Sequence, residues 1–439
     1  MTPTPSPRGV RLVPRTLTLA LAFVAIAGCS NLLDVTNPNN VNESALGDPA
    51  AATPLANGVL GALVRMLSAT TVDYSVATDE LDWIGSRDAW FDLETGGIGN
   101  YLNEFTDVAF PYVGQARYLG DTAVKSLEGF NAQGKLADKL NLARAYLYSG
   151  VVYVSIADMY DDFAFSNKRT PAAPIGRAQM GTLYDKAIDY LTKAEPIAVA
   201  GGDKALRYNI VAYRARARHA KAVWAKITPK GQTPAQPFVN DAGANADAAT
   251  AIALGSADQK FTLESNIESV ADINVWYEVN NRHEHNVGTV YTNLLDPLTG
   301  AKDPTTQALI TQFLTFNKTA GILNITSSRE LRLILAEAAL ASGNPVEFRS
   351  QINTVRALDN KPAFTGQIAD DAMLKHERKA QLWLFRRRLS DMYRFGQKDT
   401  KWTNNPNFES AFSVPGLLFP IPNAERLGNP CIANPALCK

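Results

Sequence analysis

The sequence predicts an all-α fold, a superhelical array of stacked helix pairs with loop-rich insertions, on three observations. Apolar residues recur at three- and four-residue intervals along most of the chain, the period of a helix with one buried face. Small residues alternate with bulky ones on those faces, as in "ARAYLYSGVVYVSIADMY", so a second helix can pack close. The helical stretches also come in successive pairs, which is how stacked-repeat folds build one continuous core.

The first element follows Asp48-Pro49, a cap and first-turn proline, and Leu60, Leu63, Val64 and Leu67 fall at helical spacing. A second helix is expected over about 100–128, with a break near Pro111. The paired region runs over about 135–255. Ala143, Tyr146, Gly150, Tyr153 and Ala157 face Tyr184, Ala187, Leu191 and Ala194, and a second pair covers "NIVAYRARARHAKAVWAKI" and "VNDAGANADAATAIAL". A third lies within about 327–395, where "SSRELRLILAEAALASGN" carries Ser327 or Ser328 as cap and Gly343 as stop, followed by "PVEFRSQINTVRAL". These pairs are tetratricopeptide-like, although their uneven spacing also fits an irregular helical bundle. Between them, about 260–326 is rich in Asn, Thr and Asp with interspersed aromatics. It reads as a loop-rich insertion of the kind that carries function.

Of 439 residues 46% are hydrophobic and 20% charged, enough for a large core without metal or disulfide support. The 43 basic and 43 acidic residues balance, so no basic excess draws the chain to nucleic acid. Arg8, Arg11 and Arg15 precede the uncharged run "LTLALAFVAIAG", a secretory pattern too short to span a bilayer. No later apolar run is read as a membrane span. Ile26-Ala27-Gly28-Cys29 resembles a bacterial lipobox, with residues 1–28 as lipoprotein signal peptide and Cys29 as the acylated first residue; plain cleavage near Ala27 is the alternative. Removing residues 1–28 takes three Arg from the balanced 43 and 43, leaving a net charge of −3. Residues 29–45 read as an extended tether and 46–439 as a single domain. Cys431 and Cys438 close a short Pro-containing loop and are expected to pair in an exported protein.

The ordered motifs "CSNLLDVTNPN", "SSRELRLILAEAALASGN" with "INTVRA", "ERKAQLWLFRRRLSDMYRFG" and "FPIPNAERLGNP" are similar to those of the SusD/RagB family of outer-membrane nutrient-uptake lipoproteins. Glu377, Arg378, Arg388, Asp391 and Arg394 match its C-terminal helix. Gln381 stands where a second glutamate is usual, and Phe385-Arg386 where a Glu-Gly pair is usual. The resemblance implies a lipid-anchored protein on the outer face of an outer membrane. It would bind glycan or peptide and deliver it to a TonB-dependent transporter of the SusC type, without catalysis or cofactor. A tetratricopeptide-type scaffold lipoprotein that assembles envelope proteins, with no small ligand, is the alternative, and a metal-dependent envelope hydrolase a third reading.

The residues themselves fit a binding role. No nucleophile elbow, P-loop or dinucleotide motif occurs, so no catalytic residue is assigned. Asp79, Glu80 and Asp82 are carboxylates whose closeness in sequence says nothing of the separation glycoside hydrolysis needs. His283 and His285 lack a third ligand, so no metal site is assigned; they read as surface-loop residues or ligand contacts. "TDELDWIGSRDAWFDLETGG" combines Asp82, Trp83, Arg87 and Trp90, a composition that stacks on sugar faces and hydrogen-bonds hydroxyls. The same aromatics equally suit a core or a transporter interface. Trp276, Tyr277 and Arg282 form a second candidate patch. In the last helix Leu382, Phe385, Leu389 and Met392 make an apolar stripe. We read its flanking Arg386, Arg387, Arg388 and Arg394 as ion-paired to carboxylates such as Glu377 and Asp391 rather than as an anion or partner site.

Overall fold

A computed structural model describes residues 47–167, 169–266, 274–316 and 320–438. The signal peptide, Cys29 and the tether lie outside them. Residues Pro49–Lys439 form one compact unit.

After a short turn at Pro49–Ala51, α1 spans Ala52–Val76. By length and apolarity it could cross a membrane, contrary to the reading that no later run would, but 67% of its most apolar window is buried within the domain. It is a core helix. A three-residue strand β1 (Leu81–Trp83) and short helix α2 (Asp88–Glu94) lead to α3 (Glu104–Ala132). Asn103 caps α3 by accepting from the Phe105 and Thr106 amides. Pro111 lies inside α3 without ending it, so the expected break is absent.

Helices α4 (Leu140–Met159), α5 (Gly181–Ala200), α6 (Lys204–Ile227) and α7 (Ala242–Leu254) then stack, each against the next, with α3 packed on α1 and α4. Gly150 allows the α4–α5 approach, since a Cβ there would meet Leu191 Cγ at 3.3 Å. Across the insertion, β2 (Lys260–Asn266), β3 (His285–Val287) and α8 (Pro304–Leu314) are followed by β4 (Ala320–Ser327). β2 pairs antiparallel with β4, and β1 with β3. The insertion is therefore partly strand, held by pairings that its Asn- and Thr-rich composition does not announce. Helices α9 (Ser328–Ala341) and α10 (Pro345–Ala357) form the third pair, with Ser327 as the α9 cap and Gly343 at φ +70° beyond its end. α9 also packs on α7 and joins the two parts of the stack.

The expected long C-terminal helix is two helices, α11 (Asp370–Gln381) and α12 (Arg388–Arg394). Leu384 and Arg386 between them have φ of +60° and +57°, left-handed values that favour glycine and disfavour branched or bulky side chains. The strain is held by other elements. The Leu384 amide donates to Glu80 Oε1 at 2.6 Å, and Arg216 donates to the Phe385 carbonyl. The apolar stripe itself is buried as expected: Leu382, Phe385, Leu389 and Met392 all lie in the core. Cys431 and Cys438 are joined in a disulfide, with a Cα–Cα distance of 5.8 Å.

Candidate functional site

Pairing of β1 with β3 brings together the two patches found far apart in sequence. Asp82 lies opposite Asn286 and Trp83 opposite His285. The Glu284 carbonyl accepts from the Ile84 and Gly85 amides, and its carboxylate from the Ser86 and Arg87 amides at 3.2 and 3.4 Å. Gly85 has to be glycine for this contact, because a Cβ there would lie 2.8 Å from Glu284 Cα. Arg87 and Arg282 both act on Glu278, whose carboxyl burial pushes up and these two cations pull back. The two segments are thus joined along their backbones.

The aromatics divide between surface and core. Trp83 is half-buried and its ring meets Phe91 at 5.6 Å; Phe91 and Ile84 are each 51% exposed. Tyr277 is half-buried, with the Arg282 guanidinium 5.8 Å from its ring centre, and Arg282 is exposed. Trp90 and Trp276, candidates for ligand contact that equally suited a core, are core residues. Trp90 stacks parallel on Phe105 at 3.6 Å and takes the edge of His285 at 4.9 Å, so its faces are occupied. Trp276 is 1% exposed, seated over Gly321 and edge-on to Phe316. Neighbouring residues on a helix point about 100° apart, so of "WF" in α2 only one can face out. The sequence flagged the Trp, and the structure exposes Phe91.

The polar candidates are mostly committed to structure. Asp82 accepts from the Thr289 amide at 2.8 Å and from Lys401 at 2.6 Å. Burial pushes its carboxyl up, but hydrogen bonds from Lys401 and Thr289 outweigh that and hold it below the usual range. Asp82 is thus committed to holding the loop to Thr289 and Lys401. His285 is no surface residue either: it is fully buried, with burial, Lys401 and Arg87 together holding its ring down to about 3, while His283 is exposed. Among the described residues, Asp296, Asp303 and His376 are the grouping whose ligand atoms come close enough for a metal. There Lys361 and Arg356 already occupy the cation positions, at 3.2 Å from Asp303 and 2.8 Å from Asp296, which makes it an ion-pair network.

A groove between α8, β4 and the 382–387 break is lined by Trp276, Phe313, Phe316 and Trp383, with Gln312 and Asn324. Its indoles are almost wholly covered by protein, so it offers little aromatic face to a sugar.

The loop bearing Trp83 is tied down at its base. Arg388 clamps Asp79 with both nitrogens, at 2.6 and 2.7 Å, and Lys379 adds a third contact at 3.0 Å. Next to it, Glu80 is buried and accepts from the Leu384 amide and Ser75 Oγ. Burial raises its carboxyl to about 7, despite the Leu384 amide, and Asp79 adds to the rise. A raised acid contributes stability below its unfolded value of about 4.3, and that contribution is lost as pH rises through about 7. Glu80→Gln should therefore match the parent's melting temperature at pH 5 and exceed it by ~2 °C at pH 8. An equal shift at both pH values in a thermal melt would rule out this titration.

The sequence matches no protein-family model and no curated protein. Solved structures do match. A SusD superfamily protein from Bacteroides vulgatus ATCC 8482 superposes with TM-score 0.58 at 16% identity, over 88% of this chain and 98% of its own. The fold is that of the SusD superfamily. A SusD-like carbohydrate binding protein from the same organism gives TM-score 0.58 at 13% identity over 88% and 97% of the two chains. A SusD superfamily protein from Parabacteroides distasonis ATCC 8503 gives 0.58 at 12% over 87% and 98%. In this SusD fold the C-terminal motif charges hold the domain together: Arg378 and Arg394 bind Asp391, Arg388 binds Asp79, and Arg387 binds Asp158. The ion-pair reading of Arg387, Arg388 and Arg394 matches these contacts.

Proposed function

We propose that this chain is a lipid-anchored outer-membrane protein, facing the cell exterior through acylated Cys29. In this reading it binds glycan, carries out no covalent chemistry, and passes its ligand to a TonB-dependent transporter of the SusC type. The observation that carries the reading is the half-buried Trp83 packed against the exposed Phe91, on a strand β1 that pairs with β3 a few residues beyond Tyr277 and Arg282, in the fold of a SusD-like carbohydrate binding protein. Flat aromatic faces stack on the C–H face of pyranose rings, and an adjacent guanidinium donates to hydroxyls. Asp82 supports this by fixing the backbone of the loop.

Glycan retention in affinity electrophoresis tests the site. Trp83→Ala and Phe91→Ala should each weaken retention by about tenfold, the scale of one aromatic contact, while leaving the melting temperature unchanged. Trp90→Ala, by contrast, should lose ~3–5 kcal/mol of stability as a core truncation. Unaltered retention in both surface variants would remove the site. For the partner, a large barrel should co-purify from detergent-solubilised outer membranes; a scaffold lipoprotein would bring other envelope proteins instead.

A further inference from the structure

Lys401 stands in the irregular segment after α12, yet it reaches the loop that carries Trp83 and Phe91. Its ammonium donates to Asp82 Oδ1 in β1 at 2.6 Å and to Glu94 Oε1 at the end of α2 at 2.8 Å. The same Glu94 oxygen accepts from the Trp83 amide at 2.8 Å, and the second Asp82 oxygen accepts from the Thr289 amide at 2.8 Å. One cation therefore ties the two ends of the 82–94 loop to each other and, through Asp82, to the turn after β3. Glu94 is buried, and Asp82 and Lys401 are half-buried, so solvent screens these contacts less than it would at an open surface. An ammonium suits the task, since its donors diverge toward carboxylates on two different elements, whereas a guanidinium presents a planar fork. Without it Asp82 and Glu94 would face one another as like charges.

The segment bearing Lys401 is itself fixed by contacts that do not use the ammonium. Trp402 is buried, donates through Nε1 to the Ala77 carbonyl at 3.2 Å, and seats its ring against Gly96. The Thr403 amide donates to the Thr95 carbonyl at 2.9 Å and the Ala411 amide to the Gly96 carbonyl at 2.8 Å. In return the Gly99 amide donates to the Glu409 carbonyl at 3.1 Å. Residues 401–411 thus lie as a strap along 95–99, just beyond α2. Removing the ammonium leaves the strap in place and takes away only what it adds inside the loop.

We propose that Lys401 is a positioning residue for the Trp83–Phe91 pair, holding β1 and α2 at the spacing that lets both rings serve one ligand. The proposal rests on the glycan reading above and adds to it a side chain from the C-terminal segment that acts through Asp82 and Glu94.

The test compares the full chain with Lys401→Met, which keeps most of the apolar stem, in two measurements. Hydrogen exchange read by mass spectrometry should quicken about tenfold in peptides spanning 81–95 and stay unchanged in α4–α7, as expected for a local loss of charge-assisted hydrogen bonds. Glycan retention in affinity electrophoresis, well below the melting temperature, should weaken about tenfold, the scale of one aromatic contact. Lys401→Arg restores the cation but not the divergent donors, so it should fall between the other two chains in both measurements. Unchanged exchange in 81–95 would overturn the role, whatever the retention. Faster exchange there with full retention would overturn it too, because binding would then not depend on how the loop is held. Exchange that quickens equally in α4–α7 would make Lys401 a general stabiliser and discard it as a positioning residue. A parent chain that retains no glycan would instead count against the glycan reading, and the exchange pattern would still decide whether Lys401 holds the loop.

Discussion

Glu337→Ala is expected to cost about 3–5 kcal/mol of folding stability, the scale of removing one member of a buried ionic network. Glu337 is fully buried on α9 and holds four elements together. Arg394 of α12 donates through both terminal nitrogens, and His219 of α6 lies at 3.1 Å. The Val239 amide donates at 2.9 Å, and Arg378 of α11 lies at 3.6 Å. Removing the carboxylate leaves Arg378 and Arg394 sharing Asp391 alone, with a buried amide unpaired. Urea denaturation should show a lower midpoint at an unchanged slope. A loss below about 1 kcal/mol would mean the network is solvated in a way its burial denies.

The same network sets the acid limb of stability. Burial works against the Glu337 charge, but Arg394 and His219 hold its carboxyl well below the usual range; Asp391 is held low by Arg378 and Arg394. Depressed acids contribute stability above their unfolded values of about 4, and lose it as pH falls toward the folded ones. Burial keeps His219 neutral, and its ring is lowered. The unfolded state then binds the extra proton, so this contribution also falls below about pH 6.5. Both effects have the same sign, and acid should unfold the chain cooperatively.

What the sequence made legible follows from which forces are local. Helix periodicity and caps are local, so α4–α7, α9 and α10 were readable, down to Ser327 and Gly343. The β2–β4 and β1–β3 pairings join segments tens to hundreds of residues apart, and nothing within either segment names its partner. The break at 382–387 was hidden for the same reason. The stripe Leu382, Phe385, Leu389, Met392 has helical spacing, and the partners that hold the break, Glu80 and Arg216, lie far away in sequence. At the site, composition marked the right segments but not the side chains. Trp90 and Trp276 drew attention as large aromatics, and they are buried because the largest apolar surface gains most from leaving water. Phe91 is exposed and Tyr277 half-buried.

Arg388→Met links stability to binding, because Asp79 lies two residues before β1 and only four before Trp83. The substitution should destabilise the chain by about 3 kcal/mol, since it strands a buried carboxylate that Lys379 alone only partly compensates. It should also weaken glycan retention at temperatures where the chain is still folded. The Glu80 carbonyl accepts from Trp383 Nε1 and the Gly288 amide, so freeing Asp79 loosens the register that sets Trp83 beside the 277–285 segment. Arg388 touches no part of the exposed face, and its effect there is one of position. Adding Asp79→Asn to Arg388→Met removes the stranded charge, so the pair should be more stable than the sum of the two single losses by at least about 1 kcal/mol. If the two losses simply add, Asp79 and Arg388 are not the coupled anchor their bidentate geometry implies, and the loop must owe its position to the β1–β3 pairing alone.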